Sequence, residues 1–379
     1  MEFTFYNPTK LVFGKGRIAE LGAEMKARKA RKALLVAGGG SARKNKVYAQ
    51  VVASLKGAGI RWVESWGVKP NPSLEKVREM IALARREKVD CVLAVGGGSV
   101  IDASKAVAAG YFLEDIWKAF EGSEAVKKAL PLYTVLTLSA TASEMDPYAV
   151  ISNEREKKKW AIGSDVLCPV VSIVDPSVQS TLPWHQTVYG AIDGLSHVMD
   201  YYFLGNEEET TLAVDEALMR TIITQTRALR KNRRNAAARA NLAWAITLAL
   251  NGTSGAGLRG GDWACHSIEH AISALHPEIA HGAGLAAVFP AWISFSHDRN
   301  PIFKRWAKQV WNSTSVEAAV AKMKKQYSAW GAPVSLHELG VKRGEIPLVA
   351  AKAVEKSGSC GVLKRLSEKD VEGILKLAF

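Results

Sequence analysis

Asp193 and His197 stand four residues apart in "YGAIDGLSH", and His266 and His270 repeat that interval in "WACHSIEH". Residues four apart on a helix project from one face, so each pair sets two metal-ligating or proton-transferring groups side by side. His281 follows in "AHGAGLAAVFP", after a short turn containing Pro277. The flanking positions are mostly Ala, Leu and Ile, and an apolar helix face does not gather ionisable groups unless they are paired or bound to metal. One carboxylate and three imidazoles from two or three neighbouring helices predict a divalent transition-metal site. His281 is preferred over His276 because a glycine and then an apolar helix follow it, an inward-facing context. His276, before Pro277, is expected to be exposed, and His185, His297 and His337 lie in polar or turn-like surroundings that place them on the surface.

A second stretch with chemical potential is "AVGGGSVIDASKAVA", residues 94–108. Its Gly96–Ser99 turn ends a strand and opens a helix. Missing side chains let backbone N–H groups approach phosphate oxygens at a helix N-terminus. The run is not the G-x-G-x-x-G fingerprint, so by itself the pattern is a weak signal.

The elements that must position these groups differ between the two halves. Short β-branched runs ("KALLVAGGG", "IRWVESWGV", "VDCVLAVGGGS", "LYTVLTLSAT", "PVVSIVDPS") alternate with helical patterns, among them "PSLEKVREMIALARREK" with Ser73 as its N-cap. That alternation predicts an α/β domain with a mostly parallel sheet covered on both faces, and the opening "FTFYNPTKLVFGKG" reads as a hairpin added to it. After about Pro183 strand signals stop and helical spacing takes over. The expected division is 1–178, a dinucleotide-binding α/β domain, and 179–379, an all-α metal-binding domain, joined near "DPSVQSTLP".

Composition limits the classes of function. A chain of 379 residues with 48% hydrophobic and 23% charged residues has the make-up of a globular protein with room for two cores. No run approaches the length of a membrane span, and the N-terminus lacks a basic-then-apolar leader, so a cytoplasmic location is expected. Four scattered cysteines with no CxxC pair argue against a disulfide framework or zinc knuckle. The net charge of +13 is spread along the chain, with short clusters such as "RALRKNRRN" and "REKKK". It predicts non-specific attraction for anions, not nucleic-acid binding, because no base-stacking or groove-reading motif accompanies it.

In order and spacing, "NPTKLVFGKG", "VKPNPS", "AVGGGSVIDASKAVA", "LTLSATASEM", "SIVDPSVQSTLP", "YGAIDGLSH", "GDWACHSIEH", "AHGAGLAAVFPAW" and "LSEKDVEGILKLA" resemble the iron-containing (group III) alcohol dehydrogenases. Within that family they are similar to the butanol-dehydrogenase-like aldehyde reductases, over essentially the whole chain. The resemblance implies a dehydroquinate synthase-like fold and one Fe²⁺ or Zn²⁺ held by Asp193, His197, His266 and His281. It makes His270 a pocket residue near the nicotinamide, suited to proton transfer. It matches Gly97, Gly98 and Ser99, with Asp102 just beyond, to the pyrophosphate turn, and Asn71, Thr137, Thr141 and Lys159 to cofactor contacts. It also puts the adenine ribose at the end of "KALLVAGGGSARKNK". There Gly38, Gly39, Gly40 and Ser41 leave room, no acid is present to select NAD, and Arg43 and Lys44 follow, so NADP(H) is expected in preference to NAD(H).

The implied reaction is hydride transfer between the nicotinamide and small alcohols or aldehydes. Trp263, Ala264, Leu275 and Phe289 predict an apolar pocket for short primary alcohols. A homodimer joined through the N-terminal hairpin strand is the family expectation. The rival reading is a dehydroquinate synthase-like or glycerol dehydrogenase-like enzyme on the same fold. Three features depart from the family pattern. Ala142 stands where many relatives have Gly. Asp146 stands near their Asn and is expected to reshape the cofactor-side wall or add negative charge there. The His266–His281 interval is one residue longer, a difference falling on loop 276–280.

Overall fold

In the computed structural model, which describes residues 2–379, the β-branched runs of the first half form a six-stranded sheet in the order β1-β8-β5-β4-β2-β3, with every neighbouring pair parallel. Its strands are β1 (Lys10–Phe13), β2 (Lys32–Gly38), β3 (Arg61–Val68), β4 (Cys91–Gly96), β5 (Leu132–Leu136) and β8 (Val171–Val174). Every residue of β4, β5 and β8 is buried, as parallel strands covered on both faces must be. The helices of this half are α1 (Leu21–Ala27), α2 (Ser41–Lys44), α3 (Val47–Ala58), α4 (Leu74–Arg86), α5 (Gly98–Gly110) and α6 (Trp117–Glu121). Ser73 caps α4, its side chain accepting from the Lys76 N–H.

The strand order carries a functional consequence. After β2 the chain lays β3 on one side and then returns to place β4 on the other, so the order reverses between β2 and β4. In open parallel sheets ligands bind beyond the carboxyl ends of the strands at such a switch point. The register sets Ala37 opposite Val95, and the two glycine runs that begin at Gly38 and Gly96 therefore leave the sheet side by side.

Two hairpin readings are corrected. The opening segment forms no hairpin; β1 is a single strand whose ladder runs parallel to β8. Asn7 turns the chain into it, its side chain donating to the Met145 carbonyl at 2.7 Å and accepting from the Thr9 N–H. A hairpin does occur where none was expected: β6 (Tyr148–Asn153) pairs antiparallel with β7 (Lys158–Gly163) as a separate two-stranded sheet. The "REKKK" cluster is its turn and the start of β7.

The chain divides into two units, Tyr6–Leu182 and Pro183–Phe379, the second also including the residues up to Phe5. The second unit is built from α7 (Trp184–Tyr202), α8 (Glu209–Lys231), α9 (Ala236–Ala249), α10 (Ala264–Leu275), α11 (His281–Ser296), α12 (Ile302–Trp311), α13 (Val316–Trp330), α14 (Ile346–Val354) and α15 (Glu368–Leu377). Its described residues contain no strand, only an isolated bridge between Cys360 and Leu366. The core is aromatic and tight, with Phe203 stacked on Phe303 at 4.1 Å and against Trp292 and Trp306. Among the described residues no helix is long and apolar enough to cross a membrane, and the four cysteines are free.

Candidate functional site

Helices α7, α10 and α11 bring the four expected ligands together. The Nε2 atoms of His197 and His281 each lie 3.6 Å from Asp193 Oδ1, and that of His266 lies 4.0 Å away. Donor atoms about 2.0–2.2 Å from a shared tetrahedral ion stand about 3.3–3.6 Å apart; Asp193, His266 and His281 bring their donor atoms close enough together to share an ion, and His197 stands beside them at Asp193. His266 Nε2 is buried and has no hydrogen-bond partner among the described residues. A buried nitrogen lone pair left this way is costly unless something cationic or protic meets it. Burial, then the neighbouring His266 and His281, hold the His197 imidazole well below the usual histidine range. It is therefore neutral at ordinary pH, the form that binds metal. Residues and geometry fit a divalent ion.

Two carboxylates that sequence reasoning missed stand behind this set. Asp200 Oδ2 is 2.6 Å from His266 Nδ1, and Glu269 meets His281 Nδ1. Both acids are essentially buried, at 1% and 0% exposed. Each lies at the ring nitrogen away from Asp193, and a carboxylate there favours a proton on Nδ1 and leaves Nε2 for a metal. The available signal was spacing, because Asp200 follows His197 by three residues and Glu269 follows His266 by three, each on the same helix face. Glycines make the packing possible. A Cβ on Gly282 would fall 2.2 Å from the Tyr189 carbonyl oxygen of α7, and one on Gly284 would fall 2.7 Å from Glu269 Cγ.

His270 lies beside the set, its ring 5.4 Å from that of His281 and 6.4 Å from that of His266. It is partly exposed. His276 stands apart and only partly exposed, its Nε2 3.2 Å from Glu345. The apolar-pocket expectation is corrected in part. Ala264 and Phe289 are wholly buried in the helical core and Leu275 packs against it. Of those four residues only Trp263 meets the site, with its ring 5.3 Å from His266 and 6.3 Å from His197.

In the α/β unit the second constellation gathers at the switch point. Gly97 precedes α5 with no side-chain cap, so the first N–H groups of the helix, at Gly98 and Ser99, remain available to an anion. Thr137 donates its N–H to the Gly96 carbonyl at 2.9 Å. A Cβ on Gly98 would come within 2.5 Å of the Thr141 side chain, so only glycine lets these two segments approach. Asn71, in left-handed backbone at φ 54, leads into Pro72, whose carbonyl accepts from the Ser152 N–H of β6. Lys159 lies opposite Ser152 on β7 and is buried. At the other glycine run Gly38 ends β2, Gly39 and Ser41 are exposed, and Gly40 takes φ 109 to start α2. Arg43 lies over the Trp66 ring at 3.9 Å and 3.5 Å from Glu64.

Asp102 faces inward. Its two oxygens accept from Ser143 Oγ at 2.6 Å and the Val150 N–H at 3.1 Å, tying α5 to the segment entering β6. Burial, opposed by Lys105 and reinforced by Asp146, raises its carboxyl to about 6. The departure at Asp146 adds no unpaired charge, since Lys105, wholly buried, donates to its carboxylate at 2.6 Å and to the carbonyls of Asp146 and Tyr148. Ala142 adopts φ 55, the left-handed region in which glycine is the unstrained residue.

Comparison with known proteins places the whole chain in one family. Residues 8–176 match the family described as iron-containing alcohol dehydrogenase, and residues 187–379 match the Fe-containing alcohol dehydrogenase family, C-terminal. The NADH-dependent butanol dehydrogenase A of Clostridium acetobutylicum is 37% identical, covering 100% of both chains. The NADPH-dependent aldehyde reductase of Escherichia coli is 36% identical, covering 93% of each. The solved structure of an NADH-dependent butanol dehydrogenase A from Thermotoga maritima superposes with a TM-score of 0.97 at 49% identity, over 100% of this chain and 98% of that one. The chain belongs to the iron-containing alcohol dehydrogenase family.

Proposed function

We propose that this chain, an NAD(P)-dependent oxidoreductase of alcohols and aldehydes, interconverts short unbranched primary alcohols and their aldehydes. The observation that carries the reading is the grouping of Asp193, His266 and His281 within reach of one ion, with His197 beside Asp193 and with Asp200 and Glu269 behind the rings. These four side chains would hold Fe²⁺ or Zn²⁺, since a mixed carboxylate and imidazole set suits either ion. When bound, the metal supplies Lewis acidity at the substrate oxygen and the nicotinamide gives or takes the hydride. The chain's own residues do the rest. Asp200 and Glu269 hold the ligand rings, Trp263 gives the site an apolar wall, and the His270 imidazole carries the substrate proton to or from solvent.

NADP(H) is favoured over NAD(H) by the turn after β2. Glu64 is the nearby acid, and Tyr48, Trp62 and Trp66 donate to its carboxylate at 2.5, 2.9 and 2.7 Å, which fills most of its acceptor sites. Arg43, 57% exposed and 3.5 Å from Glu64, would turn from that acid to meet a 2′-phosphate. The relatives' names include both NADH and NADPH. A charge-assisted contact of ~1.5–3 kcal/mol corresponds to roughly a ten- to hundred-fold preference. Steady-state kcat/KM with NADPH and with NADH, on one aldehyde, tests it: a ratio above ten is expected, and a ratio at or below one overturns the preference. A homodimer along the outer edge of β1 is part of this reading. Among the described residues β1 pairs with β8 alone, and Phe3, Phe5 and Tyr6 before it are 53, 55 and 66% exposed.

A further inference from the structure

The basic cluster that opens at Arg227 has no part in the chemistry above. It borders a groove of about 570 Å³ between α8, α13 and the end of α12, whose lining includes none of the four candidate metal ligands. Four cations line it, Arg220 and Arg227 from α8 and Lys322 and Lys325 from α13, and no acidic residue is among the lining. Their placement is set by neutral groups. Arg220 donates to the Gln309 carbonyl at 3.1 Å, Arg227 to the Gln326 side chain at 2.5 Å, and Lys322 to the carbonyls of Trp311 and Asn312 at 3.1 and 2.7 Å. Only Arg220 has a carboxylate near it, Glu216 at 4.0 Å, and that acid already accepts from Tyr202 and Arg305. Hydrogen bonds to carbonyls orient a cation without cancelling its charge. The groove therefore holds ordered, uncompensated positive charge, with low-dielectric walls from Ile223 and Trp311 that strengthen its field. A further donor stands on the same wall: the Trp311 indole N–H is buried and has no hydrogen-bond acceptor among the described residues.

We infer that this groove binds a small polyanion carrying two phosphate or carboxylate groups, at a site separate from the metal ligands and the cofactor turn. The spacing argues for two groups over one. Arg220 and Arg227 are seven residues apart, two helical turns on one stripe, which separates them by about 10 Å along α8. Lys322 and Lys325 are three apart and face the same groove from α13. A single small anion reaches one end; a bis-anionic metabolite spans both. Guanidinium groups suit the oxygens of either phosphate or carboxylate, so the probes distinguish the two.

The test is isothermal titration of the metal-loaded enzyme, saturated with NADP⁺ so that the cofactor turn is filled, with fructose 1,6-bisphosphate, adipate and inorganic phosphate as separate probes, the first two carrying anionic groups at opposite ends of a six-carbon chain. One saturable site is expected, tighter for the bisphosphate or the dicarboxylate than for phosphate, and the stronger of those two identifies the anionic group. The double variant Arg227→Gln/Lys325→Gln is expected to weaken binding at least tenfold while leaving kcat and the KM for NADPH unchanged. A control pair from the exposed cluster outside the groove, Arg233→Gln/Arg234→Gln, is expected to retain it. The inference is overturned by three results: no saturation with any probe, binding unchanged in the groove variant, or equal loss in both variants, which would mark a general surface field.

Discussion

In the proposed metal centre Asp200 and Glu269 orient the ligand rings, and their removal separates orientation from ligation. Asp200→Asn and Glu269→Gln keep all four ligands but loosen the His266 and His281 rings, so metal affinity should fall about 10–100-fold. His197→Ala, which deletes a ligand, should leave the purified protein without metal. His270→Ala should keep its metal and lose roughly 10²–10⁴-fold in turnover, the range of a lost acid–base group. Metal content by mass spectrometry and competition with a chelator read all four variants. A His270 variant without metal would exchange the roles assigned to His270 and its neighbours. The proposed ligands stand out in the sequence because i,i+4 pairs of ionisable residues on apolar helices are unusual. The two acids behind them were not, since Asp200 and Glu269 are ordinary helix residues until the fold shows which ring each one faces.

At the scale of elements, close approach between helices decides what the site can hold. Gly282→Ala would drive a methyl group into the Tyr189 carbonyl of α7 and displace the first turn of α11, which carries His281. The expected cost is ~1–3 kcal/mol of stability together with loss of metal, both measurable by denaturant melts and metal analysis; an unchanged variant would show that α11 yields freely. Asp102 gives α5 a dependence on pH. The native state holds its proton up to about 6, whereas the unfolded chain releases it near 3.8. This group's contribution to stability is thus most favourable below the lower value, declines as pH rises between the two, and is level above the higher. Asp102→Asn should remove that decline, changing the wild-type-minus-variant difference by roughly 1–3 kcal/mol across the interval. Parallel urea-midpoint curves would contradict it. Element types were readable from local pattern, as with Ser73 at the start of α4, but partners were not. The partner of β1 is β8, about 160 residues away, so no local signal could distinguish a parallel edge strand from a hairpin arm. The β6–β7 hairpin was hidden because its turn is a run of charges that reads as surface.

For the molecule as a whole, the sheet of the first unit supplies two glycine turns side by side at a switch point, and the helices of the second supply one carboxylate and three imidazoles around a point. The division into α/β and all-helical parts was visible in the change of hydrophobic period near Pro183. The apolar pocket was not, because Phe289 and Ala264 have the composition of a pocket wall but are packed inside the helical core. The central claim is that alcohol and aldehyde turnover depends on the ion held by Asp193, His197, His266 and His281. The most direct measurement follows nicotinamide absorbance with butanal and NADPH, using enzyme stripped by chelator and then reloaded with Fe²⁺ or Zn²⁺ in separate samples. The account predicts no turnover in the stripped enzyme and recovery with at least one of the two ions. Full activity in enzyme shown by mass spectrometry to be free of metal would contradict it.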